Sequence, residues 1–231
     1  MTPELKTRFD LNGQIARANR AVFDAAGVAA ISLVGPAGSG KTSLIESLLG
    51  QIDTGIRTAA IVCDMAAERQ AERLARLRCK AIPLVTNNLA AINVRQALNQ
   101  LNLNEVDLVI IESECNAHSP VEFDLGQHSR ASVFSVAGGD DKATEYPFLI
   151  AGSDVVLLTK IDLLPLVTFD FKVFSRDVAR VKPKVPIFHL SVQSNQGIEQ
   201  WVEWVESHLA SKIKGRLSQR GSGPFIRLPN Q

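Results

Sequence analysis

The sequence predicts an α/β fold, a doubly wound and mostly parallel sheet with helices on both faces, from three observations. A glycine-rich octet, Gly35-Pro36-Ala37-Gly38-Ser39-Gly40-Lys41-Thr42, lies between the apolar run Ala29 to Val34 and the amphipathic stretch Ser43 to Leu49. Apolar runs recur along the whole chain with helix-like stretches between most of them, as in parallel strands joined by crossover helices. The runs Leu108 to Ile111 and Val155 to Leu158 are apolar without alternation, as expected for strands covered on both faces.

The elements follow in order. From Leu11 to Ala26, Ile15, Ala18, Val22, Phe23 and Ala26 recur at helical spacing with Arg17, Asn19, Arg20 and Asp24 on other faces, giving an amphipathic helix that ends at Gly27. Strands are expected at Ala29 to Val34, Thr58 to Cys63, Ala81 to Val85, Val106 to Ile111, Ser132 to Val136, Val155 to Leu158 and Val185 to Leu190. A turn at Ser194 to Gly197 leads into a helix with Ile198, Trp201, Val202, Val205 and Leu209 on one side, so Trp201 and Trp204 read as packing residues. After Ser211, five cations occur without one acid amid Gly, Ser and Pro, which predicts a basic, disordered tail. The chain divides into an N-terminal helix packed on the domain (1–28), a nucleotide domain (29–211) and the tail (212–231).

The 231 residues are near the upper range for one domain. With 25 Lys and Arg against 24 Asp and Glu, no overall field favours a nucleic-acid partner or an anionic membrane. No run of about 18 apolar residues and no leader-like start is present, and three dispersed cysteines form no disulfide or zinc pattern. A cytoplasmic protein with neither nucleic-acid nor membrane partners is expected.

The octet carries the chemistry. Its glycines let the backbone curl so that successive N–H groups face one phosphate, Lys41 bridges the terminal phosphates, and the Thr42 hydroxyl binds magnesium. The nucleotide set is therefore Gly35, Gly38, Ser39, Gly40, Lys41, Thr42 and Ser43. Thr159-Lys160-Ile161-Asp162 follows a buried strand, where a carboxylate at Asp162 accepts hydrogen bonds from guanine N1 and its exocyclic amine, a donor pair that adenine lacks. Lys160 would lay its stem along the base, and Ser191 would present backbone to the guanine oxygen. Thr159 stands where such motifs carry Asn, at the cost of a side-chain amide. Asp64 and Glu112, at the ends of two strands, are the expected carboxylate partners of Thr42 around magnesium, and Lys41, Thr42 and Asp64 form the catalytic set. Gly138 to Lys142 reads as a mobile polar loop. An ATP-using kinase or partitioning protein shares the octet but leaves Thr159 to Asp162 unexplained.

Taken together, the octet, Asn19-Arg20 through Val28, Asp64, Glu112 with Asn116, Phe123-Asp124-Leu125-Gly126, Asp141-Lys142 with Tyr146-Pro147, and Thr159 through Pro165 resemble the hydrogenase nickel-incorporation GTPases of the HypB type. The resemblance spans about Leu11 to Ser211. It implies a slow GTPase with GTP and Mg2+ that assists nickel delivery into a hydrogenase precursor, working with other maturation proteins as a nucleotide-dependent homodimer. The alternative is a nucleotide-dependent scaffold for enzyme maturation that carries no transition metal.

Departures from the family pattern bear on that choice. Where the family carries an adjacent Cys-His pair that binds nickel or zinc, this chain has Ala90-Ala91, and a methyl group cannot coordinate a metal. In the second switch region the family's glycine is replaced by Cys115 and its cysteine by Ser119. Cys115 and His118, with Glu114, are the candidates for a relocated nickel or zinc site. Cys63 and Cys79 read as packing residues.

Overall fold

The computed structural model describes residues 3–86, 89–115 and 124–220. Helix α1 (Pro3–Ala26) leads into β1 (Ala29–Gly35), α2 (Lys41–Gln51), β2 (Thr58–Cys63), α3 (Ala67–Ala75), β3 (Lys80–Leu84), α4 (Ala91–Leu98) and β4 (Leu108–Glu114). The second half runs through β5 (Ser129–Ser135), α5 (Lys142–Glu145), α6 (Pro147–Ala151), β6 (Val155–Thr159), α7 (Phe171–Val181), β7 (Ile187–His189) and α8 (Ile198–Arg220). The strands form one sheet in the order β3-β2-β4-β1-β5-β6-β7, and every pairing is parallel.

Alternate residues of β1 explain the layers. Ala29, Ile31 and Leu33 pack with Leu44, Ile45 and Leu48 of α2 and with Trp201 and Val205 of α8. Ala30 faces Phe23 of α1 and Val94 and Leu98 of α4, whereas Val34 faces a third cluster with Phe134 and Phe174. Each side chain passes to the opposite face from its neighbour, so a strand covered by helices on both sides needs apolar residues throughout. Trp201 is fully buried and stacks on Trp204, with ring centroids 5.5 Å apart, in the packing role its spacing predicts. Edge strand β3 is the exception: Lys80 and Pro83 are exposed, and an edge is where a strand tolerates proline.

Several boundaries differ from expectation: α1 begins at Pro3 and not at Leu11, and β5 runs from Ser129 to Ser135 instead of from Ser132 to Val136. β4 continues past the apolar run to Glu114, because β1 extends to Gly35 and the ladder persists through Val34 beside Ser113 and Gly35 beside Glu114. Glu112 therefore sits inside a strand, paired with Leu33, and not at its end. The predicted loop at Gly138 to Lys142 is a short turn over Gly139 to Asp141, bounded by a 3-10 turn (Val136–Gly138) and by α5. Helix α8 continues to Arg220, beyond Ser211, where composition alone places the start of disorder. The Lys212 ammonium lies 2.6 Å from Asp24 of α1, an ion pair that anchors the start of this extension.

Helix α1 is tied to the domain by side-chain amides. Asn19 donates to the carbonyls of Ala91 (2.8 Å) and Leu125 (3.0 Å), while Asn12 accepts from the Ala91 N–H and donates to the Asp124 carbonyl, both at 2.8 Å. Gly126 allows this approach: its φ is 92°, and an added Cβ would stand 2.7 Å from the Ala16 carbonyl oxygen. Among the described residues, no helix is long and apolar enough to cross a membrane.

Candidate nucleotide site

Central strand β1 delivers the glycine-rich loop to the point where the chain's course across the sheet reverses, with β2 and β3 on one side and β5 to β7 on the other. Ligands of such sheets bind in the crevice outside the carboxyl ends of the strands at this place. Gly35 must be glycine, since a Cβ there would lie 2.1 Å from the Val133 carbonyl oxygen. Gly38 and Gly40 have φ values of 71° and 95°, and the second turns the chain directly into α2. The helix has no side-chain cap at its N-terminus, so its dipole and its first N–H groups are directed into the cleft.

The cleft, of about 370 Å³, brings together Gly38, Gly40, Lys41, Thr42, Ser43, Asp64, Glu112 and Lys160. Lys41 is buried and its ammonium donates to the carbonyls of Gly35 (2.9 Å) and Pro36 (3.0 Å), which aims the charge along the loop. The Thr42 hydroxyl donates to Glu112 Oε1 at 2.6 Å, leaving Oε2 buried without a partner among the described residues. Burial pushes the Glu112 carboxyl upward, against the Thr42 hydrogen bond and the Lys41 charge. Burial also acts to raise Asp64, but the Ala66 N–H, the Gln70 amide and Lys41 outweigh it and hold this carboxyl below the usual carboxylate range. The orphaned Glu112 oxygen, Asp64 and Thr42 offer two carboxylates and a hydroxyl, a hard-oxygen set that suits Mg2+ completed by phosphate oxygens and water.

A residue that sequence reasoning did not place here is Glu114, which lines the same cleft from the end of β4. Its carboxyl is within hydrogen-bonding reach of Asp64 and is raised first by desolvation and then by the Asp64 charge. Only the extension of β4 beyond its apolar run brings Glu114 into position, and that extension follows from pairing with β1. Gln70 and Arg73 of α3 complete the wall. They are ordinary helix-surface residues in the sequence and carry no signal there.

The base-side residues form a connected set. Thr159 is buried, and its hydroxyl lies 2.6 Å from the Ser39 carbonyl and 3.1 Å from that of Phe134. The residue that replaces Asn thus clamps the phosphate loop to β6. Lys160 takes a left-handed conformation, φ 59°, turning the chain into the 3-10 turn Ile161–Leu166 that carries Asp162. Ser191 is fully buried after β7, and it joins the set through its side chain instead of the expected backbone N–H: the hydroxyl donates to Asp162 Oδ1 at 2.5 Å. Its own N–H is occupied by the Gln196 carbonyl at 2.9 Å.

Of the two transition-metal candidates, only Cys115 falls among the described residues. Cys115 is buried among Val34, Phe134 and Val136, its N–H bonded to the Gly35 carbonyl at 3.1 Å, whereas His118 lies outside the described residues. Among the described residues, no three His, Cys, Asp or Glu side chains form a metal-sized cluster. Ala91 is buried beneath α1, its N–H and carbonyl taken by Asn12 and Asn19. Burial pushes the Cys79 thiol up to about 12, and the buried Cys63 contacts the Thr86 carbonyl through its Sγ at 3.6 Å.

Residues 29–189 match the family model described as CobW/HypB/UreG, nucleotide-binding domain. The chain is 36% identical over 198 residues to the protein of Methanocaldococcus jannaschii described as "Probable hydrogenase maturation factor HypB", covering 84% of this chain and 90% of that protein. Its identity to the hydrogenase maturation factor HypB of Escherichia coli is 33% over 201 residues, covering 86% of this chain and 69% of that one. The crystal structure of the hydrogenase maturation factor HypB from Archaeoglobus fulgidus superposes with a TM-score of 0.79 at 28% identity, covering 87% of this chain and 99% of that chain.

Proposed function

The chain belongs to the CobW/HypB/UreG family, and to its HypB type, and on that premise we propose that it is a GTP-binding and slowly GTP-hydrolysing accessory protein for nickel insertion during hydrogenase maturation. The observation that carries the nucleotide assignment is the pairing of Ser191 with Asp162 at 2.5 Å. It fixes one carboxylate oxygen and aims the group as a double acceptor, which the N1–H and exocyclic amine of guanine satisfy and adenine cannot.

The remaining residues divide the hydrolytic work. The N–H groups from Gly38 to Ser43 and the Lys41 ammonium would neutralise the β- and γ-phosphates as charge moves toward the leaving oxygen. Thr42, Glu112 and Asp64 would hold Mg2+, which would supply positive charge to offset that of the phosphates. Thr159 keeps the loop registered against the base-reading turn, so recognition at one end of the nucleotide is transmitted to the other. In this reading the nucleotide state controls a homodimer and its contact with a hydrogenase precursor and other maturation proteins.

Steady-state hydrolysis of GTP and ATP tests the proposal. Lys41→Ala should abolish GTP turnover and Asp162→Asn should erode the preference for GTP, whereas equal hydrolysis of ATP by the wild type would overturn it. The second reading, a nucleotide-dependent scaffold without transition metal, is favoured by Ala90-Ala91. Neither side chain carries a lone pair, and Ala91 is sealed beneath α1.

A further inference from the structure

A second cavity, of about 270 Å³, adjoins the nucleotide cleft on the β5 and α5 side of the loop. Its polar lining comes from Ser39, Glu114, Ser135, Lys142 and Tyr146. Ala37 and Glu114 line both spaces, so the Glu114 side chain stands at their junction, beside the Pro36-Ala37 segment of the loop. The Ser39 hydroxyl is buried and has no hydrogen-bond partner among the described residues. A buried hydroxyl in that condition is ordinarily satisfied by water, and a space of this size with polar groups in its wall holds more than one molecule at roughly 30 Å³ each.

We infer that this cavity is the reservoir of the hydrolytic water and that Glu114 orients that water toward the γ-phosphate. The inference rests on the GTPase reading and extends it to a residue to which neither the phosphate loop nor the base-reading turn assigns a role. The Glu114 carboxylate accepts a hydrogen bond from the water and leaves an oxygen lone pair directed at phosphorus. The water oxygen bonds to the γ-phosphorus as the bond to the β–γ bridging oxygen breaks, that electron pair leaving with GDP. One water proton passes to the transferred phosphate and the other stays on the attacking oxygen, so the products are GDP and dihydrogen phosphate. Ser39 holds the supply on the cavity side of the loop while its carbonyl is clamped by Thr159.

Single-turnover and steady-state GTP hydrolysis on the full chain test this, with binding of a non-hydrolysable GTP analogue measured in parallel. Glu114→Ala should lower kcat by at least about tenfold with KM and analogue affinity unchanged, because only the orientation of the attacking group is lost. Glu114→Gln, whose amide oxygen still accepts a hydrogen bond, should restore the rate to within about threefold of wild type. A Glu114→Ala rate within twofold of wild type would overturn the inference. So would a Gln variant as slow as the Ala variant, since the role would then depend on charge, or a loss confined to KM and analogue affinity. A wild-type chain that does not hydrolyse GTP fails the proposed function itself, which separates the two failures.

Discussion

Asp162 and Thr159 lie within four residues of each other yet are held by different partners, which assigns them to different ends of the nucleotide in the proposed function. Asp162 is oriented by one bond, from Ser191, and that bond has no part in the phosphate loop. Thr159 bonds the Ser39 and Phe134 carbonyls and does not contact Asp162 through its side chain. Ser191→Ala should therefore weaken GTP binding by about tenfold and leave ATP binding unchanged, since the hydrogen bond lost is to a charged group directed at guanine. Thr159→Val keeps the volume and removes the loop clamp, and it should weaken both nucleotides alike, by about fivefold. Calorimetric titration of each variant with GTP and ATP separates the outcomes, and a Ser191→Ala loss equal for both nucleotides would contradict the base-reading role. The motif around Asp162 was legible in the sequence because its four residues follow an apolar strand downstream of a phosphate loop. Ser191's side-chain role was not, since it depends on a partner 29 residues away.

At the scale of elements, α1 and the C-terminal part of α8 are joined to the sheet through a small polar cluster. His128 Nδ1 accepts the Ala30 N–H at 3.0 Å, so Nε2 carries the proton toward Asp24 at 3.1 Å, and Asp24 also receives Lys212. Desolvation first, and the Lys212 charge after it, hold the imidazole below its ordinary value, against the Asp24 hydrogen bond that favours the cation. Protonating Nδ1 would also remove the only acceptor position that the Ala30 N–H uses on the ring. A folded pKa below the unfolded one means that the unfolded chain takes up the proton first, so His128's contribution is complete above about pH 6.5 and is lost as pH falls through the folded value. The urea midpoint should drop between pH 7 and pH 5.5, and His128→Gln should flatten that part of the profile. An unchanged profile in the variant would exclude the imidazole as its source. The sequence showed α1 as an amphipathic helix ending at Gly27, but its polar anchors were invisible: Asn12 and Asn19 look like solvent-facing residues until Ala91 and Leu125 are brought against them.

For the molecule as a whole, the strand order decides what can act together. β1, β4 and β5 lie side by side although some 70 residues separate the first two, and this places the loop, Glu112 and Glu114 on one rim. Ala90-Ala91, which stand where the resemblance implies a metal-binding pair, lie at the start of α4, beneath α1. Nickel and zinc titrations of the tag-free protein, with and without GTP, should accordingly show no stoichiometric site in either state, and a tight site abolished by Cys115→Ala would restore the metal-carrier reading. The sequence by itself determined the parallel α/β class and marked the phosphate loop, because these depend on local spacing: uninterrupted apolar runs, and a glycine-rich octet between a strand and a helix. Tertiary structure alone decided that Thr159 clamps the loop, that Ser191 orients Asp162, and that Glu114 enters the cleft. Each of those is a hydrogen bond or strand pairing between distant segments, and no periodicity within one segment encodes the partner that folding will place beside it.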